Sequence, residues 1–518
     1  MAYLKKIRVV VSLLFFVLTT IIFLDFINLI PTALYNYILF LQFVPSLINF
    51  IDILAIASIG FFIVLILAIL FGRVYCSSIC PIGTLQDLIS NISNKITGEH
   101  FFNWSKGLKW LKYSILLLTI LSIPVLGILL VGLLDPLSNF GRILANLIRP
   151  LIILLNNLLA LLFESMNSYI IYPVDIKEIS IAGFFFSFIV LTTLLFMSIK
   201  RGRLFCNTIC PVGTLLGLIS KMAIFKIKIN ENDCDSCGMC ATVCKAECIN
   251  DDSKEIDFER CVVCFNCIHE CPTSAINYYK EYNTEQNSNT DFNKSRRKFL
   301  SYFYSFVVGI SWMGFLQLQI IPEKESTKPI NRLVPVSPPG SKNIDHYKST
   351  CTACHLCISV CPTQVLQPSI LHYGLEGFLQ PRMDYITNFC KYDCVLCTEV
   401  CTSGALQKFL PQDKKLTQLG KSNFVKENCI VETEKKACGA CSEVCPTKAV
   451  RMIPFENKLL IPEVKNEYCV GCGACEYACP TIPYKAIYVE GNPEHLKAEI
   501  PPDEILEQKI DYKEEFPF

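Results

Sequence analysis

The twelve residues CTACHLCISVCP, Cys351 to Pro362, could serve either of two cofactors. Cys351 to His355 fits the C-x-x-C-H pattern that attaches a c-type haem, while the whole stretch fits the C-x2-C-x2-C-x3-C-P run that holds an iron–sulfur cluster. The other cysteines bear on the choice. Of 29 in the chain, 24 fall into six quartets, four into two C-x3-C-P motifs, and Cys248 stands apart. Two quartets lie early: Cys234, Cys237, Cys240, Cys244, then Cys261, Cys264, Cys267, Cys271. Four lie late: Cys351, Cys354, Cys357, Cys361; Cys390, Cys394, Cys397, Cys401; Cys429, Cys438, Cys441, Cys445; and Cys469, Cys472, Cys475, Cys479.

Cysteines three apart in a tight loop gather thiolates around one point, as a cluster requires, whereas a disulfide framework has no reason to repeat that spacing. Six [4Fe–4S] clusters are therefore expected. No other C-x-x-C is followed by histidine, so Cys351 and Cys354 are assigned to a cluster, His355 to its loop, and no haem is expected. The second late run has Thr402 where proline is usual, and the third has eight residues after Cys429. Because the first and last late runs are the regular ones, a nested pairing is expected, first with fourth and second with third.

The remaining paired thiols sit in a repeat. GRVYCSSICPIGTL (Gly72 to Leu85) and GRLFCNTICPVGTL (Gly202 to Leu215) match each other 130 positions apart, each directly after an apolar segment. Cys76, Cys80, Cys206 and Cys210 are candidate redox or docking thiols: a thiol–disulfide relay, a shared metal site, or a docking surface for nearby clusters. Arg73 and Arg203 favour thiolates beside them. Two buried thiols at a helix-end turn is the plainer alternative, and two cysteines alone are too few for a cubane.

These cysteines need elements to position them. Apolar residues make up 52% of the chain and crowd its first 200 positions, which points to a membrane portion followed by soluble ones. Expected spans are 9–30, 54–71, 114–134 and 179–199, with a fifth, Phe299 to Ile321, as an anchor. Ile143 to Phe163 is apolar but broken by Arg149, Pro150, Asn156 and Asn157, and is read as a re-entrant or surface helix. Lys5, Lys6, Arg8, Arg73, Lys95, Lys106, Lys109, Lys112, Lys200, Arg201 and Arg203 all need one side, the cytoplasm, while 31–50 has no Lys or Arg and suits the outside. Both C-x3-C-P pairs then face the cytoplasm. Asp25 lies in the first span, as a proton site or a hydrated end residue.

The fold class expected is a membrane α-helical portion of four spans plus a fifth anchor helix, with two α+β ferredoxin-like iron–sulfur portions. Its divisions are 1–224, the four-helix membrane domain; 225–280, a cytoplasmic two-cluster domain; 281–294, a linker; 295–321, the signal and anchor; 322–345, a second linker; and 346–518, an exported four-cluster domain. SRRKFL, from Ser295 to Leu300, matches a twin-arginine export signal placed internally; an ordinary positive-inside flank is the alternative, and either puts the last domain outside. Export in the folded state agrees with cluster rather than haem at Cys351, since haem is attached outside to an unfolded chain. Net charge of +1 gives no reason to expect nucleic acid. None of His100, His269, His346, His355, His372 and His495 lies in an expected span, which disfavours a membrane b-type haem.

On these motifs, residues 1 to about 280 resemble the NapH family of membrane quinol dehydrogenase subunits, and residues from about 295 onward resemble its exported partner family NapG. The chain would be a natural fusion of the two, departing from the pattern at Lys245, which replaces a proline, at Cys248, and at the irregular second late run. The resemblance implies a bacterial inner-membrane protein, with the lipid bilayer and its quinone pool as surroundings. Quinol would be the substrate and a periplasmic c-type cytochrome or reductase the acceptor. A maturation factor that supplies electrons to a periplasmic metalloenzyme, and a redox sensor, are the competing readings.

Overall fold

The computed structural model describes residues 2–53, 59–97, 102–175, 180–250, 253–280, 329–330 and 332–500. Ser295 to Leu300 and the expected anchor at Phe299 to Ile321 lie outside the described residues.

The first 220 residues are helical: α1 (Ala2–Leu24), α2 (Thr32–Leu39), α3 (Phe43–Ile53), α4 (Gly60–Phe71), α5 (Val74–Ser78), α6 (Pro81–Thr97), α7 (Lys109–Leu126), α8 (Leu129–Leu134), α9 (Pro136–Ile143), α10 (Arg149–Ser165), α11 (Ile181–Arg201), α12 (Leu204–Thr208) and α13 (Pro211–Ser220). Among the described residues four helices are long and apolar enough to cross a membrane: Tyr3–Leu24, Lys109–Leu126, Pro136–Ser165 and Ile181–Arg201. The expected span at 54–71 is not among them. Its described helix, α4, has 12 residues, about 18 Å of rise, which falls short of a hydrocarbon core of about 30 Å. Nor is 31–50 a simple outer loop: α2 and α3 form an apolar pair bent by 104°.

Helix Pro136–Ser165 takes the fourth place by length, yet its contacts do not suit a crossing at right angles. Gly132, just before it, packs on the Thr352 carbonyl, Gly141 on the Cys354 carbonyl, and Asn146 Nδ2 lies 3.1 Å from His355 Nδ1. Some 20 Å of chain at helical rise thus lies along one soluble domain. The segment expected as a re-entrant or surface helix, 143–163, is part of a helix that is long and apolar enough to cross a membrane.

The soluble domains occupy opposite ends of the bundle. In the first, strand β1 (Phe225–Ile229) pairs antiparallel with β4 (Ile276–Lys280), while β2 (Ile249–Asn250) pairs with β3 (Glu255–Ile256). This domain meets the start of α1 through Lys5–Glu270 (3.5 Å) and the end of α11 at Gly202, which packs on the Lys245 carbonyl. The second domain meets the other end. Gly141 packs between Phe23, at the end of α1, and the Cys354 carbonyl, while Phe186 near the start of α11 stacks edge-on against Phe378. His346–Asp52 (3.0 Å) and Asn36 to the Glu399 carbonyl (3.1 Å) dock it on the bent pair. Its own framework is three antiparallel pairs, Leu366–Pro368 with Pro381–Met383, Thr417–Phe424 with Ile487–Lys497, and Val450–Pro454 with Leu460–Val464.

Asp25 closes a turn. Its carboxylate accepts from the Leu29 and Ile30 amides (3.0 and 2.9 Å) and faces the Tyr35 hydroxyl, which accounts for a buried acid at a helix end.

Candidate iron–sulfur sites

Each cysteine run bends sharply and then enters a helix of four or five residues, and these short helices pack in pairs: Met239–Thr242 with Asn266–Glu270, Leu356–Val360 with Leu396–Glu399, and Ala440–Glu443 with Ala474–Ala478. The bend uses left-handed backbone at Phe265, His355 and Gly473. In His355 both ring nitrogens are engaged, Nδ1 with Asn146 and Nε2 with the Leu379 carbonyl (2.9 Å), and burial first, then Arg142, holds its pKa down to about 3. It is a neutral docking residue of the loop, as expected.

At five of the six runs the paired helices carry the fourth thiol to the neighbour's first three. Cys244 joins Cys261, Cys264 and Cys267 around one apolar cavity, and Cys479 joins Cys429, Cys438 and Cys441 around another. Cys445 neighbours Cys469, Cys472 and Cys475. Cys401 neighbours Cys351, Cys354 and Cys357, and Cys361 neighbours Cys390, Cys394 and Cys397. The late runs therefore pair first with second and third with fourth, which overturns the nested order. The reason is local: helix pairing between successive runs, not regularity of spacing, decides which thiol crosses.

Burial, followed by repulsion from Cys479, Cys438 and Cys429, pushes the Cys441 thiol up to about 12. Four thiolates crowded in an apolar pocket are stable only around a cationic core, and backbone amides already point at sulfur: Leu406 N–H at Cys401, Ala486 N–H at Cys479 and Gly471 N–H at Cys469, each at 3.4 Å. Among the described residues no group of three or more His, Cys, Asp or Glu side chains is arranged for a metal ion. The six runs share that property, since ligands of a cluster stand around its inorganic core rather than around one atom.

One regularity escaped the spacing argument. At five of the six runs, the fourth cysteine's sulfur lies near a hydroxyl two residues on: Cys271 with Thr273, Cys361 with Thr363, Cys401 with Ser403, Cys445 with Thr447 and Cys479 with Thr481, at 3.2–3.7 Å. Thr402 in the irregular run leaves this intact. After Cys244 the equivalent residue is Ala246, and the thiol of Cys248 stands there instead, 3.4 Å from Cys244. The pattern C-x-[ST], written out for all six runs, would have found both the rule and the substitute.

The C-x3-C-P loops are not on a face at all. Cys76, Cys80, Cys206 and Cys210 are each 3–4% exposed, buried between the two soluble domains. Helices α4 and α11 each reach the first domain, and the loops then turn back into the bundle as α5 and α12 before α6 and α13 leave again. The halves interlock. Arg73 of the first loop donates to the Cys206 carbonyl (3.1 Å) and Asn207 (2.7 Å); Arg203 of the second donates to the Cys76 carbonyl (2.5 Å). Gly83 and Gly213 make room, because a Cβ on either would sit 2.1 or 2.3 Å from the carbonyl of Cys76 or Cys206.

Buried charges around the loops had no motif to announce them. Asp87 pairs with Arg203 (2.9 Å), Arg8 (3.0 Å) and Lys245 (3.6 Å), so the lysine that replaces a proline ties the first soluble domain to the bundle. Glu259 accepts from Tyr113 (2.5 Å), Lys221 (2.6 Å) and Lys112, two residues before Cys261.

Sequence comparison agrees with this geometry. A 4Fe–4S binding domain matches residues 53–98 and again 183–230, and a 4Fe–4S dicluster domain matches 436–482, which takes Cys438, Cys441 and Cys445 of the third late run together with the fourth run. The chain is NapH-like and ferredoxin-type. It is 25% identical over 219 residues to the ferredoxin-type protein NapH of Haemophilus influenzae, covering 40% of this chain and 63% of that one. It is 24% identical over 219 residues to YccM of Escherichia coli (strain K12), covering 41% of this chain and 52% of that relative. The methylamine utilization ferredoxin-type protein MauM of Methylobacillus flagellatus is 26% identical over 157 residues, 28% of this chain and 64% of its own. The matches thus span about half to two thirds of these relatives. No solved structure matches the chain. The chain thus carries 4Fe–4S binding domains, is similar to ferredoxin-type proteins, and has several helices long and apolar enough to cross a membrane.

Proposed function

We propose that the protein oxidises quinol at a membrane and passes the electrons through [4Fe–4S] clusters to an acceptor on the opposite side. The observation that carries this is the placement of two cysteine-run domains at opposite ends of one helical bundle. A single buried core, from Cys261 and Cys267 to Leu356 and Val400, joins them. A bound [4Fe–4S] cluster supplies reversible storage of one electron. The chain's part is to hold it with the cysteine quartets, exclude water, and direct amide N–H groups at its thiolates.

Quinol gives up two electrons and two protons as it becomes quinone. An apolar groove on α7, lined by Trp110, Tyr113, Ser114, Leu116, Leu117 and Ile120, offers a place for its ring. Tyr113 in that groove donates to Glu259, so a hydroxyl bound there has a carboxylate relay for its protons beside the Cys261 run. The electrons enter that run singly. In this reading 225–280 faces the cytoplasm, and 346–500 is a NapG-like domain exported through the SRRKFL signal to the periplasm, facing a c-type cytochrome or reductase.

Anaerobic titration with a menaquinol analogue, followed by EPR, tests it. Cluster signals should grow with quinol added, and more slowly when Tyr113→Phe removes the hydroxyl. Fully loaded clusters that quinol never reduces would refute the reading.

A further inference from the structure

The two domains of that relay are held apart by the bundle, and the six quartets place nothing between them. What lies between is the pair of C-x3-C-P loops. We propose that Cys76, Cys80, Cys206 and Cys210 together ligate one additional iron–sulfur cluster, shared by the two halves of the repeat, which carries electrons across the bundle.

Each half by itself is incomplete. The 4Fe–4S binding domain matches the chain twice, and each match contains two cysteines, Cys76 and Cys80 or Cys206 and Cys210. Four cysteines are the ligand set of either a [2Fe–2S] or a [4Fe–4S] cluster. The fold supplies them: Cys80 lies within electrostatic reach of Cys76, Cys206 and Cys210, and Cys210 of Cys76 and Cys206. The reciprocal arginine bridges fix the loops against each other, so the four thiols come from two segments yet form one buried group.

The local chemistry repeats that of the soluble runs. Gly213 N–H donates to Cys210 Sγ at 3.3 Å, and Gly83 N–H makes the matching bond to Cys80, as amides do at Cys401, Cys469 and Cys479. Arg73 Nη2 stands 3.9 Å from Cys76 Sγ. Two guanidinium groups beside the thiols offset the negative charge that four thiolates bring into an apolar interior. A pair of structural thiols would need none of this, and a thiol–disulfide relay would need access to a partner that 3–4% exposure denies.

Position completes the argument. On one side, Arg73 Nη1 donates to the carbonyls of Glu259 (3.1 Å) and Arg260 (3.5 Å), the residues leading into Cys261. On the other, Tyr75, next to Cys76, lies within electrostatic reach of both Cys80 and Asp135, and Asp135 within that of Cys354. One electron moves along this line at each step, from the Cys261 run to the four thiols and on to the Cys354 run, with no atom transferred. The path rests on the relay reading above; the site does not.

The test is iron and acid-labile sulfide per full chain, purified anaerobically, for the natural protein and for Cys80→Ser and Cys210→Ser. Six clusters alone give about 24 irons, and a seventh about 26 or 28 according to its type. Each single variant should lose the whole excess, because either half is insufficient, while the signals of the six runs persist and show that the chain is folded. About 24 irons in the natural protein overturns the site even if the variants fail to fold, as do losses that add when the two variants are combined. Neither readout uses quinol. Reduction of the late-run signals by a quinol analogue, unslowed in the variants, would overturn the path.

Discussion

Replacing Lys414 with methionine should lower the reduction potential of one late cluster and leave the others in place. The Lys414 ammonium is buried, 3.3 Å from Cys390 Sγ, and also donates to the Lys391 carbonyl. Cys390, Cys394, Cys397 and Cys361 form one ligand group, so the cation sits against the cluster they would hold. Adding an electron there brings a negative charge to a point beside a positive one. Two unit charges about 4 Å apart interact by about 4 kcal/mol at an effective dielectric of about 20. The electron is spread over the whole cluster, so about half, or about 2 kcal/mol, is a fair share. With about 59 mV for each tenfold change in a one-electron couple, that is on the order of 80 mV. Methionine keeps the stem's volume and removes the charge, so the potential must fall. Redox titration monitored by EPR reads it, with Lys415→Met, one residue along the same short helix, as the control. A potential unmoved in Lys414→Met, or moved equally in the control, refutes the placement of the ammonium against the cluster.

Exchange of the fourth thiols gives a second prediction: Cys361→Ser should perturb the signal that Lys414→Met shifts, not the signal of the Cys351 run, which identifies the pairing by EPR of the double variant. Cys248→Ser should retain full iron content, because a hydroxyl occupies that place at the other five runs, whereas Cys248→Phe should lose iron by crowding Cys244 and Cys261. Gly83→Ala and Gly213→Ala should each cost the bundle several kcal/mol, measured as thermal stability in detergent, since neither carbonyl can yield without breaking an arginine bridge. His495 bonds to Ser337 (2.9 Å), and burial holds its pKa down to about 4. The unfolded chain takes up that proton near pH 6.5, so stability is full above 6.5 and falls by about 1.4 kcal/mol per unit toward pH 4, up to about 3 kcal/mol. Unfolding followed by cluster absorbance against pH should lose that slope in His495→Gln.

Spacing made the six runs legible because cluster ligation leaves a short-range signature: three thiols in one bend, and a fourth after one turn of helix. The same holds for α1 and α11, whose apolar length is a local property. What could not be read is whatever depends on two distant segments meeting. Which run lends its thiol to which is decided by packing of helices as short as Leu396–Glu399, too small to leave a periodic pattern. Lys245 reads in the sequence only as a departure from the pattern, because its partner Asp87 lies 158 positions away. At 54–71 hydropathy counts apolar residues and cannot see that Gly60 packs against Ser46 and the Phe40 carbonyl.

The repeat itself shows why the loops were hardest to interpret. A run that carries all its ligands can bind iron wherever it is placed, but a motif with two of four ligands binds nothing until its counterpart arrives. Burial follows from that division, because the counterpart lies across the bundle axis and the thiols meet only inside it. The arginines then have a double task. Arg73 and Arg203 each satisfy the other loop's carbonyl, so a half that folds alone leaves a guanidinium buried without its acceptors, a loss of several kcal/mol. The bundle is thereby stable only with both halves in register, which is also the only arrangement in which four thiols converge.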